Sequence, residues 1–278
     1  METKQKKDQF VVAYLTCLDD TDTVISHALF LSKILNKGLI LLYICDKNYT
    51  SVTPEEAQLK LEQIKSSIIG ADVSYCALQN KTKEVINVLP TLLNAVVVVA
   101  EVKKEAKRRT PTHAKELLKN FSECKIAYLT VQEPLQKTTF DHVGMSIDFK
   151  KESKEKLVWA SYYARFAHSQ VHALYNDYKD EGLKTKWYSN MKFLAKFFDS
   201  LQISFIPHII PNKSTYLDVN ALEYASQQNY DLMVCVTTKD KDALEFFIGV
   251  QEERIIVNSA HIPILFLNPR EDLYVLCD

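Results

Sequence analysis

Glycine is scarce. Five glycines occur in 278 residues, roughly a quarter of the ~7% usual for soluble proteins. They stand far apart, at Gly38, Gly70, Gly144, Gly182 and Gly249. No P-loop, GxGxxG dinucleotide turn or kinase glycine loop can be assembled from them, because each needs clustered glycines to bring backbone N–H groups against phosphate. Paired cysteines are missing too. Cys17, Cys45, Cys76, Cys124, Cys235 and Cys277 form no CxxC, and most lie in apolar runs. They read as reduced core residues, not as a disulfide framework or a zinc site. No apolar stretch approaches the ~18 residues of a membrane span. Neither charge is in excess, with 34 Lys+Arg against 35 Asp+Glu, so composition forces no basic face for a general nucleic-acid binder. The charged stretch Met1–Gln9 and the apolar Phe10–Leu18 run straight into Asp19-Asp20 with no small-residue cleavage site. A cytoplasmic protein that engages neither nucleic acid nor membrane is expected.

What the chain has is alternation. Short apolar runs at Phe10–Thr16, Gly38–Ile44, Ala71–Ala77, Ala95–Ala100 and Lys125–Val131 predict buried strands. Between them, Thr21–Leu35, Pro54–Ile69, Lys83–Leu93 and Thr112–Asn120 carry apolar residues at helical spacing. That pattern predicts a parallel sheet with helices on both faces. The order then begins again. Strands at His142–Ile147, Gln170–Tyr175, Ile203–Ile209, Leu232–Val236 and Ile262–Leu267 alternate with helices at Lys151–Ala167, Leu183–Leu201, Asp218–Gln228 and Gly249–Asn258. Leu31–Leu35 lies over Tyr163–Ala167 at an offset of 132 residues, and Pro111 over Gly249 at an offset of 138. The chain is a tandem repeat, with Gln132–Phe140 as its linker.

Gly144-Met145-Ser146-Ile147-Asp148-Phe149-Lys150, opening the second copy, resembles the strand, Asp, aromatic and polar helix start of the universal stress protein family. Tyr230–Thr238, Phe246–Gly249 and His261–Leu267 continue the likeness in the same order. The resemblance spans nearly the whole chain and implies two family domains, at residues 1–134 and 135–278. Each is then an α/β domain with an open, parallel, five-stranded sheet, Rossmann-like and of the adenine-nucleotide-hydrolase type. It further implies an intrachain pseudo-dimer through the last strands of the two domains, with a further homodimer also open. The apolar run Leu273–Cys277 would cover remaining surface or add a strand.

Nucleotide-binding members of that family carry Asp after the first strand and Gly-x2-Gly-x9-Gly-Ser/Thr after the fourth. The implied nucleotide site of the second copy therefore involves Asp148, Phe149, Val236, Thr237, Lys239, Gly249 and Val250. Only Asp148 and Gly249 keep the pattern. Val236 and Lys239 stand at the first two glycine positions, and Val250 replaces the hydroxyl residue. A valine side chain crowds the approach that glycine allows, and Val250 has no hydroxyl to offer phosphate. In the first copy Thr16, Ala100 and Pro111-Thr112 occupy the equivalent positions, and no nucleotide is expected there. Asp148 has a structural alternative as the cap of the following helix. The basic run Lys103–Arg109 reads as a solvated loop. His168 and His172 fall on either side of a helix-to-strand boundary, so no metal is expected, and no serine or cysteine is set up as a nucleophile. The expected function is a non-enzymatic stress-response module, binding or scaffolding an unidentified protein partner, with a decayed nucleotide site and no cofactor. The alternative is an ATP- or AMP-binding protein that uses the second domain, with slow ATP hydrolysis.

Overall fold

A computed structural model describes residues 9–211, 213, 214, 216–238 and 250–269. The chain divides into two units, Met1–Gln136 and Lys137–Asp278. The first runs β1 (Phe10–Leu15), α1 (Asp22–Leu35), β2 (Gly38–Ile44), α2 (Pro54–Ser67), β3 (Val73–Leu78), α3 (Thr82–Leu92), β4 (Ala95–Glu101), α4 (Ala114–Phe121) and β5 (Ala127–Val131). The second runs β6 (His142–Ser146), a 3₁₀ turn (Lys151–Glu155), α5 (Lys156–Phe166), β7 (Gln170–Tyr175), α6 (Glu181–Ser200), β8 (Phe205–Ile209), α7 (Leu217–Gln227), β9 (Leu232–Val236), α8 (Val250–Ile256) and β10 (Ile264–Leu267).

Every strand pair within a unit is parallel. The first unit orders its strands β3-β2-β1-β4-β5, and the second β8-β7-β6-β9-β10. Helices cover both faces of a sheet of this kind, so its central strands are apolar on both sides. Val11, Val12 and Ala13 of β1 and Val97, Val98 and Val99 of β4 are fully buried. In both units the strand order reverses between the first and fourth strands. Outside the carboxyl ends of those strands an open α/β sheet leaves a crevice, the usual seat of a ligand in such folds.

Local chemistry sets the element ends. Thr53 and Glu56 form a reciprocal cap on α2, with Pro54 in its first turn. This satisfies N–H groups that the helix cannot pair itself. β3 begins at Val73 rather than at Ala71, because Gly70 takes φ +80° in the turn before it. The helix expected from Lys151 starts as a 3₁₀ turn and becomes α-helical only at Lys156. A side chain at Gly144, inside β6, would run into Met233 and the Tyr230 ring. Cys45, Cys124 and Cys235 are buried, whereas Cys17 is exposed and Cys76 is only partly covered. Cys277 lies outside the described residues. No described helix is long and apolar enough to cross a membrane.

Candidate functional site

The larger crevice belongs to the second unit. Its volume is about 780 Å³, and Asp148, Phe149, Val236, Thr237 and Gln251 are among its lining residues. Sequence and structure thus bring four of the implied site residues to one place. Lys239 and Gly249 lie outside the described residues. Val250 opens α8, and nothing is described of its side chain.

Asp148 leaves the carboxyl end of β6, and its carboxylate is held from its own loop. It accepts the Lys150 N–H at 2.9 Å and the Ser153 hydroxyl at 2.5 Å, while the Asp148 N–H donates to Ser153 Oγ at 3.2 Å. The bond to a residue two positions on is an Asx turn, so Asp148 shapes the approach to the 3₁₀ turn without being its cap; that position is Lys150. Asn190 on α6 fastens the same loop, donating to the carbonyls of Asp148 and Lys150 at 2.8 Å each.

Beneath this loop lies a polar knot that sequence reasoning did not find. Lys156, the first residue of α5, is 4% exposed, and its Nζ donates to Ser146 O at 2.8 Å and Ser146 Oγ at 2.6 Å. Asp218, at the start of α7 and 5% exposed, accepts from the Ser146 hydroxyl and from the Gln251 amide. Lys156 Nζ stands 3.7 Å from the Asp218 carboxylate. The amino end of α7 also favours that negative charge. Buried charges persist when they are paired and hydrogen-bonded, and both ions here are. The crevice floor therefore presents neutralised, occupied polar groups.

The walls and rim differ from the floor. Phe149 meets Tyr178 edge-on at 5.7 Å between ring centroids. Burial first, then the negative charges of Asp148 and Asp218, pushes the Tyr178 phenol upward, so it remains a protonated donor. Lys150, Lys151, Lys154 and Lys186 line the rim. At the end of β9, Thr237 donates to Asn268 Oδ1 at 2.6 Å, and Glu252 Oε1 accepts the N–H of Thr238 at 2.6 Å and its hydroxyl at 2.7 Å. Cys235, buried behind this end, has its thiol pushed well upward by desolvation and then by the charge of Asp218, the opposite of what an activated thiolate needs.

The first unit offers a smaller crevice of about 240 Å³, with Thr16, Lys103, Pro111 and Thr112 in its lining. Its loop folds back on itself, the Lys103 N–H donating to Thr112 O at 3.0 Å. The Lys103 ammonium is 2.9 Å from Asp20 and 3.2 Å from Glu101. At the head of the basic run, the cation is therefore taken up by local carboxylates.

Three histidines scattered in sequence also come together. His142 Nδ1 is 3.1 Å from His172 Nε2, His172 Nδ1 is 3.0 Å from His208 Nε2, and the Tyr224 hydroxyl is 3.2 Å from His208 Nδ1. They lie on β6, β7 and β8, each displaced two residues along from the strict cross-strand partner. That displacement keeps them on one face of the sheet. The Tyr230 ring covers His172 at 4.4 Å. Among the described residues, no three His, Cys, Asp or Glu side chains form a metal set. Burial first, and then His208 and His142, holds His172 down to about 4. The fold thus keeps it neutral, whereas in the unfolded chain it titrates near 6.5. Its contribution is complete above pH ~6.5 and is lost as pH falls towards 4, reaching up to about 2 kcal/mol by pH 5. His27, held down to about 4 by burial, adds in the same direction. Urea unfolding at pH 7 and pH 5 is expected to show this loss, and His172→Asn to reduce it. An identical pH dependence in the variant would remove His172 from the account.

No family model matches the sequence, and no curated protein matches it. Among solved structures, the chain is similar to a universal stress protein from Archaeoglobus fulgidus DSM 4304. The identity is 13%, with 94% of this chain and 99% of that chain covered and a TM-score of 0.69. It is likewise similar to a functionally unknown protein from Pseudomonas aeruginosa PAO1, at 13% identity, with 97% and 96% covered and a TM-score of 0.65. Both matches take in both units, and what they share with this chain is the fold.

Proposed function

We propose that the chain is a tandem universal stress protein acting as a non-catalytic binding or scaffold module, with a nucleotide site that has lost its phosphate cradle. The observation that carries this reading is that polar groups of the second unit's crevice are already engaged with one another. Asp148, the residue that the resemblance assigns to adenosine, commits its carboxylate Oδ1 to the Lys150 N–H and the Ser153 hydroxyl. Val236 ends β9 where the family pattern asks for glycine. Below them, Lys156 and Asp218 neutralise each other. A phosphate cradle is made of converging backbone N–H groups, and flexible lysines on a rim do not replace one.

The same reading pairs the last strand of each unit with that of the other, within one chain. β5 and β10 are each the edge of their own unit's sheet, yet every residue in them is buried.

A second reading is favoured by the size of the crevice and the chemistry of its rim. A volume of about 780 Å³ suits a small organic ligand, Phe149 and Tyr178 offer an aromatic wall, and the lysines suit an anion. On this reading the second unit binds ATP or AMP. Thermal unfolding in the presence of ATP and Mg²⁺ separates the two. A ligand at 100 times its Kd stabilises the fold by ~2.7 kcal/mol, a shift of several degrees for a protein of this size. The first reading expects no shift up to millimolar ATP. A saturating rise in Tm would establish the second.

A further inference from the structure

The geometry of the histidine row fixes how many protons it can hold. Two contacts join the rings: His142 Nδ1 with His172 Nε2 at 3.1 Å, and His172 Nδ1 with His208 Nε2 at 3.0 Å. A contact of this length between two ring nitrogens is a hydrogen bond, and it holds one proton, donated by one nitrogen and accepted by the other. His142 Nε2 and His208 Nδ1 are left as the two ends of the row. The second of these meets the Tyr224 hydroxyl at 3.2 Å.

We propose that the row is a one-proton switch: it takes up a single proton with every hydrogen bond kept, and a second proton expels His208 and releases Tyr224. Three neutral imidazoles carry one proton each. Two of these protons occupy the contacts, and the remaining one stands at an end, on His142 Nε2 or on His208 Nδ1. One added proton fills the other end. Its charge can stand on any of the three rings, because moving it shifts protons along existing hydrogen bonds and turns no ring. A further proton finds room only in a contact that already holds one, where N–H would meet N–H. One ring must then leave.

His208 is the ring that leaves. His172 is 5% exposed and lies under the Tyr230 ring, and His142 belongs to β6, which has β7 on one side and β9 on the other. His208 belongs to β8, the edge strand of the unit, and is only half-buried. The groups around the row offer it little opposing charge. Burial pushes the Tyr230 phenol upward, so it stays neutral, as does the buried thiol of Cys235 on β9. Asp231, in the turn into β9, accepts the backbone N–H of His142 and is paired with Lys137. On α7, Asp218 is committed to Lys156, and Glu223 to Lys213.

The consequence falls on α7. This helix is fastened to the sheet near its start through Asp218 and Ser146, and further along through Tyr224 and His208. The second proton undoes the latter fastening and leaves the former. Tyr224 also bears on the first proton. In every one-proton arrangement His208 Nδ1 carries a proton, and the Tyr224 hydroxyl is placed to accept it.

Ring-nitrogen NMR of the full chain, followed from about pH 8 to about pH 4, tests the switch. The three rings are expected to share one first midpoint, each moving through only part of the change from neutral imidazole to imidazolium. His208 is expected to complete its change at lower pH, together with a change in the Tyr224 ring signals. Tyr224→Phe, which keeps the ring and removes the acceptor, is expected to lower the shared midpoint by about one pH unit. Independent midpoints of full amplitude would overturn the proposal, as would a row that stays neutral until the chain unfolds. So would a His208 that titrates completely while the Tyr224 signals stay still, or a midpoint that Tyr224→Phe leaves unmoved.

Discussion

Replacing Lys156 with methionine is expected to lower the unfolding free energy by about 3–5 kcal/mol, because it strands Asp218 as an uncompensated buried charge. The side chains of the pair are 5% and 7% exposed, so solvent screens their interaction weakly. The methionine also withdraws the donor from Ser146 O and Oγ, leaving a buried carbonyl short of a partner. Adding Asp218→Asn is expected to recover much of the loss. The Ser146 hydroxyl and Gln251 amide then face a neutral group, and the cost of a lone buried ion disappears. Urea unfolding of the two variants measures this directly. A loss below about 1 kcal/mol in Lys156→Met would mean that water from the crevice already solvates Asp218.

Residues 1–136 produced alone are expected to dimerise or aggregate, whereas the intact chain stays dispersed at the same concentration. β5, Ala-Tyr-Leu-Thr-Val, and β10, Ile-Leu-Phe-Leu, carry no charge. Natural sheets guard a free edge with charges, prolines or bulges, and neither strand has one. An uncharged edge strand in a half-chain is a template for another copy of itself. Sedimentation velocity decides the matter, and a stable soluble monomer of residues 1–136 would count against pairing of the last strands.

The strands were legible because a parallel strand buried on both faces is written as an unbroken apolar run. Gly38–Ile44, Gln170–Tyr175 and Leu232–Val236 have the same ends in sequence and in structure. Strand starts were less legible. β5, β8 and β10 each begin two residues later than the apolar run that announces them, since apolar residues also anchor the entry to a strand without joining its ladder. Asp148 could be found from sequence because it sits beside a strand end in a recognisable order. Its hydrogen-bond partners could not, since Ser153 and Asn190 converge on it from a 3₁₀ turn and from α6.

The polar knot was illegible for a related reason: Ser146, Lys156, Asp218 and Gln251 come from four separate elements. One trace of it was present. Lys156 and Asp218 fall on the inward faces of their helices, beside Leu157 and Ala221, where a charge must find an opposite charge. The histidine row had a comparable trace. His142, His172 and His208 fall in three successive strands, but their alignment depends on a register that the sequence does not contain.

The disparity between the two crevices, about 780 Å³ against about 240 Å³, says something about how such a chain can change over time. In an assembly of two identical chains, a substitution in one crevice is necessarily made in both, because the symmetry copies it. Both copies must then tolerate it at once. When the two units are encoded in tandem, that duplication ends, and each position is free to drift separately. Pro111 can line the smaller crevice while the repeat carries Gly249 at the corresponding position of the sequence. Ser146, Lys156 and Asp218 can be settled in one half without any matching requirement on Tyr14, Val24 and Thr82, the residues at the same places in the first. Covalent linkage thus converts a symmetric pair of sites into two independent histories, one of which can be surrendered without forfeiting the other.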